Sequence, residues 1–152
     1  MERGRVKRRV MFLCTGNSAR SQMAEGLARH LFGDRWEVYS AGLEPKGVHP
    51  LAVRAMDELG IDIRHQRSKV IDPDLLGRMD LVITLCDDGA ERCPVPPPHV
   101  RRLHWALPDP AAARGTEEQR LAAFRRVRDE LLARLRRDFP PGADAAAAGG
   151  DG

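Results

Sequence analysis

The stretch VMFLCTGNSARSQMAEGL, residues 10–27, decides how this chain is read. It runs apolar into one cysteine, Cys14, crosses small and polar residues, and enters a segment where Met23, Leu27 and Leu31 recur at a four-residue spacing. The apolar run over 9–13 predicts a buried strand and the spacing over 18–32 predicts a helix, so the whole is strand, tight loop, helix. Arg20 stands six positions after Cys14. In a chain with 22 arginines that spacing alone is a poor motif, and its place between a strand and a helix gives it meaning.

In such a loop Thr15, Gly16, Asn17, Ser18 and Ala19 let backbone amides turn inward and cradle a tetrahedral dianion at the helix N-terminus. Arg20 is expected to close the cradle with a bidentate fork. The same amides, the helix dipole and the Ser21 hydroxyl favour the thiolate of Cys14 over its thiol, which makes a nucleophile. The competing reading has Cys14 as one more small buried residue at a strand end, with Arg20 on the solvent face of the helix.

Working outward, residues 37–40 (EVYS) predict a short strand and 50–59 a helix stopped by Gly60. Asp72 and Pro73 suit the cap and first position of a short helix ending near Gly77. The strongest strand signal is LVITL at 81–85, and 100–105 predicts a fourth strand. Thr116 and Gln119 form a capping box that opens a long helix running to about Phe139. Its stripe is Leu121, Phe124, Val127, Leu131, Leu132 and Leu135, with Arg125, Arg126, Arg134 and Arg137 pointing elsewhere. Strands alternating with helices imply an α/β domain: a four-stranded, mostly parallel twisted sheet flanked by helices on both faces. Chemistry then belongs at the carboxyl ends of the strands, where Cys14 and Cys86 both fall.

At 152 residues the chain is sized for one domain. We expect a basic N-terminal extension over 1–8, the domain over 9–139, and a disordered tail over 140–152 (PPGADAAAAGGDG). No apolar run reaches the roughly 18 residues of a membrane helix, and the basic N-terminus has no signal-like apolar stretch, so a cytoplasmic protein is expected. The net charge of +3 comes from 22 arginines and three lysines, with aromatics at only 5%. The arginines of the last helix are not interleaved with aromatics that could stack on bases, which argues against nucleic acid as a partner. Three cysteines in a reducing compartment point to catalysis, metal binding or plain burial before a structural disulfide framework.

Three segments together carry a resemblance: FLCTGNSARSQMAEG (12–26), YSAG (39–42) and TLCDDGAERCP (84–94). Over about residues 10–135 the chain resembles the thioredoxin-coupled arsenate reductases built on the low-molecular-weight tyrosine phosphatase fold. The resemblance implies that arsenate sits in the loop of residues 15–21 and that the Cys14 thiolate attacks arsenic, with a proton from Asp109 for the departing oxygen. It also implies that Cys86 then attacks Cys14, releasing arsenite, and that Cys93 attacks Cys86 to leave an 86–93 disulfide for thioredoxin. A phosphatase has no use for two further thiols, whereas a reductase must place two electrons where a partner can reach them. The polar segment between Cys86 and Cys93, with Gly89 inside it, is expected to move. Asp109, in ALPDPAA, is expected to favour its protonated form beside a bound dianion and act as general acid, although Asp-Pro is also common in plain turns. No cofactor is implied, and a monomer is expected.

Two rivals stand beside this reading. A tyrosine phosphatase would use the same loop and aspartate, but typically carries tyrosine after the Asp-Pro, where this chain has Ala111. A zinc-binding module could be written from Cys86, Cys93, His99 and His104, although the first spacing is too long for a zinc knuckle. Some family members also hold potassium beside the loop through Asn, Glu, Ser and Asp. Asn17, Glu25 and Ser40 match three of those positions, while the acidic fourth falls at Lys69, which predicts no potassium dependence. Trp36 and Trp105 read as core, Trp105 lying close enough to Asp109 in sequence to shape its pocket. His30, His49 and His65 show no ligand spacing.

Overall fold

A computed structural model describes residues 7–87 and 92–139. Residues 1–6 of the expected extension over 1–8, the segment 88–91 and the expected tail over 140–152 lie outside the described residues, and the extension's last residue, Arg8, already belongs to the first strand. In chain order the elements are β1 (Arg8–Cys14), α1 (Arg20–Phe32), β2 (Trp36–Gly42), α2 (Pro50–Asp57), α3 (Pro73–Leu76), β3 (Leu81–Thr84), β4 (Arg101–His104) and α4 (Glu117–Arg137). A 3-10 turn, Pro110–Ala112, precedes α4.

The four strands form one sheet in the order β2-β1-β3-β4, and every pairing is parallel. β1 is central and buried from Val10 onward, which is why its sequence is apolar at consecutive positions. Alternate side chains feed opposite faces. Val10, Phe12 and Cys14 join the larger core under α1, α2 and α4, while Met11 and Leu13 join a smaller one with Leu76 and Met79 around α3. Helices therefore cover both faces, as expected.

The stripe of α4 is buried at Leu121, Phe124, Val127, Leu131 and Leu135. Thr116 and Gln119 make the reciprocal capping box. Beyond the helix, Phe139 stacks on Phe32 with ring centroids 4.5 Å apart and meets Trp36 edge-on at 5.1 Å. Burial of such a ring contributes about 1.5–3 kcal/mol, so Phe139 ties the segment after α4 to α1 and β2.

Boundaries differ from the sequence expectation where geometry intervenes. Helix α1 starts at Arg20, not Ser18, because the backbone is still non-helical at Ala19, the N-cap, with φ −122° and ψ −73°. β2 is seven residues where four were expected, since its register with β1 runs from Arg8↔Trp36 to Cys14↔Gly42. α2 closes at Asp57, and the turn that follows passes through Gly60 at φ 76°.

Candidate active site

The loop between β1 and α1 is turned so that its carbonyls face the protein. Thr15 O accepts from the Glu44 amide (2.9 Å), Gly16 O from the Lys46 amide (3.0 Å) and Ser18 O from the His49 amide (3.0 Å). Asn17 O receives Gln22 Nε2 at 3.1 Å and the Ser68 hydroxyl at 2.8 Å. In a planar trans peptide the C=O of one residue and the N–H of the next point opposite ways. With four consecutive carbonyls directed into the surrounding protein, the amides of Gly16, Asn17, Ser18 and Ala19 are directed to the other side, the arrangement expected of an anion cradle.

Behind the cradle a chain of hydrogen bonds runs in one direction. Asn17 Oδ1 accepts from the Lys69 amide (2.7 Å) and Gln22 Nε2 (3.0 Å), which fixes the orientation of its amide group. Its Nδ2 donates to Ser21 Oγ (2.7 Å) and Ser40 Oγ (2.9 Å). Ser40 passes its own proton to Glu25 Oε1 at 2.5 Å. Ser21 Oγ, which accepts from Asn17, also shares a hydrogen bond with Cys14 Sγ, 2.8 Å away. The Ser21 hydroxyl thus stands beside the sulfur of Cys14.

Cys14, Thr15, Gly16, Ser18, Ala19, Arg20, Lys46, Asp109, Ala111 and Ala112 enclose a pocket of about 230 Å³. Arg20 is 3% exposed, so it does not lie on a solvent face. Its Nη1 donates to Leu107 O (3.2 Å) and Leu85 O (3.4 Å), joining the loop to the end of β3 and to the Asp109 segment. Asp109 caps the 3-10 turn, its Oδ1 accepting from the Ala111 amide at 3.0 Å. Trp105 is buried in the core and is not among the residues that line this pocket.

All three cysteines are free thiols. Cys86 is buried two residues after β3; the residue between, Leu85, donates its amide to Leu13 O at 2.8 Å, the carbonyl that precedes Cys14. Cys93 is half-buried, and the carbonyl of its neighbour Arg92 accepts from Thr15 Oγ1 at 3.5 Å. Cys86 thus follows a residue bonded to β1 and Cys93 follows a residue that touches the loop at Thr15, while neither lines the pocket itself. The expected movement of the intervening segment falls on residues 88–91, outside those described.

The four zinc candidates are not gathered. His99 Nε2 pairs with Gly77 O (2.9 Å), His104 Nδ1 with Thr84 Oγ1 (2.6 Å), and among the described residues no three His, Cys, Asp or Glu side chains converge as metal ligands. The Asn17, Glu25 and Ser40 group does converge, with the Lys69 ammonium 3.8 Å from Glu25 Oε1 and Arg29 Nη1 2.5 Å from Glu25 Oε2. Burial lowers the pKa of Lys69 below its ordinary value, against the Glu25 charge, which raises it.

Several residues of the site carry no sequence signal. Lys46 reaches the pocket from a Pro-Lys-Gly turn without motif character. Ser68, Gln66 and Gln22 brace the back of the loop from 44 or more residues away in the case of the first two, through pairings only the fold creates. His49 caps α2 by accepting the Leu51 amide on Nδ1 (3.0 Å), and its ring lies 4.7 Å from that of Phe124.

Residues 9–139 match the family model described as low molecular weight phosphotyrosine protein phosphatase. The chain is 60% identical over 131 residues to an arsenate reductase of Bacillus licheniformis, covering 86% of this chain and 94% of that one. A solved arsenate reductase in its phosphate-binding state is 39% identical, with TM-score 0.69 over 85% of this chain and 94% of the other. A thioredoxin-dependent arsenate reductase of Corynebacterium glutamicum is 28% identical, with TM-score 0.68 over 90% of this chain and 63% of that one. The cysteine loop, the all-parallel sheet and these likenesses agree: the chain belongs to the low molecular weight phosphotyrosine protein phosphatase family and, within it, groups with the arsenate reductases.

Proposed function

We propose that this protein reduces arsenate to arsenite and is returned to its dithiol state by thioredoxin. The observation that carries the reading is the loop after Cys14, whose carbonyls are all engaged on the side away from the pocket, with two more free cysteines each one residue from a bond to β1 or to the loop. Arsenate is held by the loop amides and the Arg20 guanidinium. The Cys14 thiolate forms an S–As bond as an As–O bond breaks, and the oxygen leaves as water with a proton from Asp109. Cys86 attacks Cys14 Sγ; the S–S bond forms, the S–As electron pair goes to arsenic, and arsenic leaves in the trivalent state. Cys93 attacks Cys86 to give an 86–93 disulfide and free Cys14, and the thioredoxin dithiol takes up the oxidation.

Phosphatase chemistry uses the same loop, and a specific observation weighs against it as the main activity. Among the described residues the pocket has no aromatic lining, Ala111 and Ala112 standing where an aryl ester would need a ring to rest on. The test is steady-state arsenate reduction with thioredoxin, thioredoxin reductase and NADPH, beside hydrolysis of p-nitrophenyl phosphate. Wild type turns over arsenate; Cys14→Ser loses both activities, and Cys86→Ser and Cys93→Ser stop cycling on arsenate while keeping ester hydrolysis. Brisk ester hydrolysis with arsenate untouched would make the protein a phosphatase.

A further inference from the structure

Arg20 is buried and directed at carbonyls, but the pocket has a second cation. The Lys46 stem lies over the loop: a Cβ placed on Gly16 would meet Lys46 Cδ at 3.3 Å, Cγ at 3.5 Å and Cε at 3.6 Å. Its backbone is fixed there too, the amide donating to Gly16 O (3.0 Å) and reaching Ser68 Oγ at 3.2 Å. Lys46 lines the same pocket as Cys14, Arg20 and Asp109. The side chain is exposed, and among the described residues it has no carboxylate partner. A lysine is therefore held at the anion cradle by a stem packed on its glycine.

From this geometry we propose that Lys46 is a substrate-binding residue, supplying the second positive charge that a tetrahedral dianion needs in this pocket. The proposal rests on the oxyanion reading of the loop. Charge counting gives the reason. With Cys14 as thiolate and Asp109 protonated, a bound dianion brings the pocket to three negative charges against one from Arg20; Lys46 makes it three against two. An ammonium a few ångströms from a dianion at the protein surface acts through a partly screened field, so its effect falls on affinity and on salt dependence. Lysine suits the place because it reaches the rim as a mobile point charge, while Arg20 supplies the fixed planar fork.

The test uses the full chain and inorganic phosphate as probe, titrated by calorimetry at low and high ionic strength, with KM and kcat for arsenate measured alongside. Lys46→Met keeps the stem over Gly16 and removes only the charge. It is expected to weaken phosphate roughly five- to tenfold at low salt, to flatten the salt dependence, and to raise KM more than it lowers kcat. Lys46→Arg is expected to restore most of the affinity, and Lys46→Glu to weaken it further than methionine. If wild type binds phosphate and Lys46→Met binds it equally well with the same salt dependence, the proposal is overturned and the oxyanion reading stands. If wild type binds no phosphate, both fall. A thermal midpoint unchanged in Lys46→Met separates lost charge from lost structure.

Discussion

The loop of residues 14–20 and the turn of residues 106–112 wall the same pocket and are held in different ways. The loop is fixed from behind: its carbonyls and the Asn17 side chain are engaged by residues 22, 44, 46, 49, 68 and 69, and Asn17 is 0% exposed. The turn rests on two prolines, the Asp109–Ala111 bond and the Arg20 contact to Leu107 O, and a cavity of about 490 Å³ lies between it and α4. The difference follows from what each wall does. Amides that must match a tetrahedral anion gain from preorganised backbone, which buried hydrogen bonds enforce. A carboxyl group that delivers a proton needs its position defined only at the end of one side chain.

The comparison breaks most easily at Gly42, the last residue of β2. A Cβ there would lie 2.8 Å from Asn17 N and Thr15 O and 2.9 Å from Cys14 O, all backbone atoms of the fixed wall. Gly42→Ala is expected to cost about 2–3 kcal/mol of stability and to abolish phosphate binding, read by denaturant unfolding and calorimetry. Normal stability and affinity in this variant would show that the loop yields, and the contrast between the walls would be lost.

Asp109→Asn tests the other wall. The amide oxygen still accepts from the Ala111 N–H, so stability is expected to stay within about 0.5 kcal/mol of wild type. Without a transferable proton, arsenate turnover is expected to fall roughly 100-fold or more. Lost stability with retained turnover would make the turn structural and remove Asp109 from the chemistry.

His49 joins the two walls: its amide holds Ser18 O, its ring caps α2, and Asp109 acts on its charge. Burial, and secondly Arg120, lower its pKa from 6.5, with Asp109 opposing. Between that lowered value and 6.5 the unfolded chain binds more protons than the folded one, so stability is lost as pH falls from 6.5 through this window. Protonation of Nδ1 also removes the acceptor of the Leu51 amide, worth about 1 kcal/mol as a cap. His49→Asn keeps an acceptor that does not titrate, and its unfolding free energy is expected to lose this pH dependence below 6.5. An equal acid response in both proteins would place its source elsewhere.

Much of this was legible beforehand because it is local. The apolar run of β1, the Asp72 and Thr116 caps and the stripe of α4 are read within one element, and Cys14, Arg20, Ser21 and Asp109 sit in short contiguous motifs. Lys46, Ser68 and Gln66 were not legible, since each acts across a gap in sequence that only the sheet closes. Asn17 was read as a cradle amide and, through the family resemblance alone, as a match to a cation ligand beside Glu25 and Ser40. Its larger part, orienting Ser21 through a left-handed backbone and a doubly donating side chain, depends on Ser40 and Lys69, which no spacing connects to it.

The smallest effect expected is none, and it concerns the far side of the fixed wall. Glu25, 3% exposed, faces Ser40, Arg29 and Lys69, and Asn17 presents Nδ2 rather than its oxygen to Ser40. A cation in that group would have to displace an ammonium already 3.8 Å from the carboxylate and meet an N–H donor in place of an acceptor. Turnover and thermal midpoint are therefore expected to be equal in potassium and sodium chloride at matched ionic strength. A clear gain in potassium would mean that Lys69 swings away and leaves an oxygen site behind. Lys69→Asp supplies the converse: it removes the resident ammonium and adds a second carboxylate beside Glu25, so this variant, unlike wild type, is expected to gain stability as potassium is added. A back wall whose charge is balanced from within the chain needs no ion, and only the variant that unbalances it acquires the need.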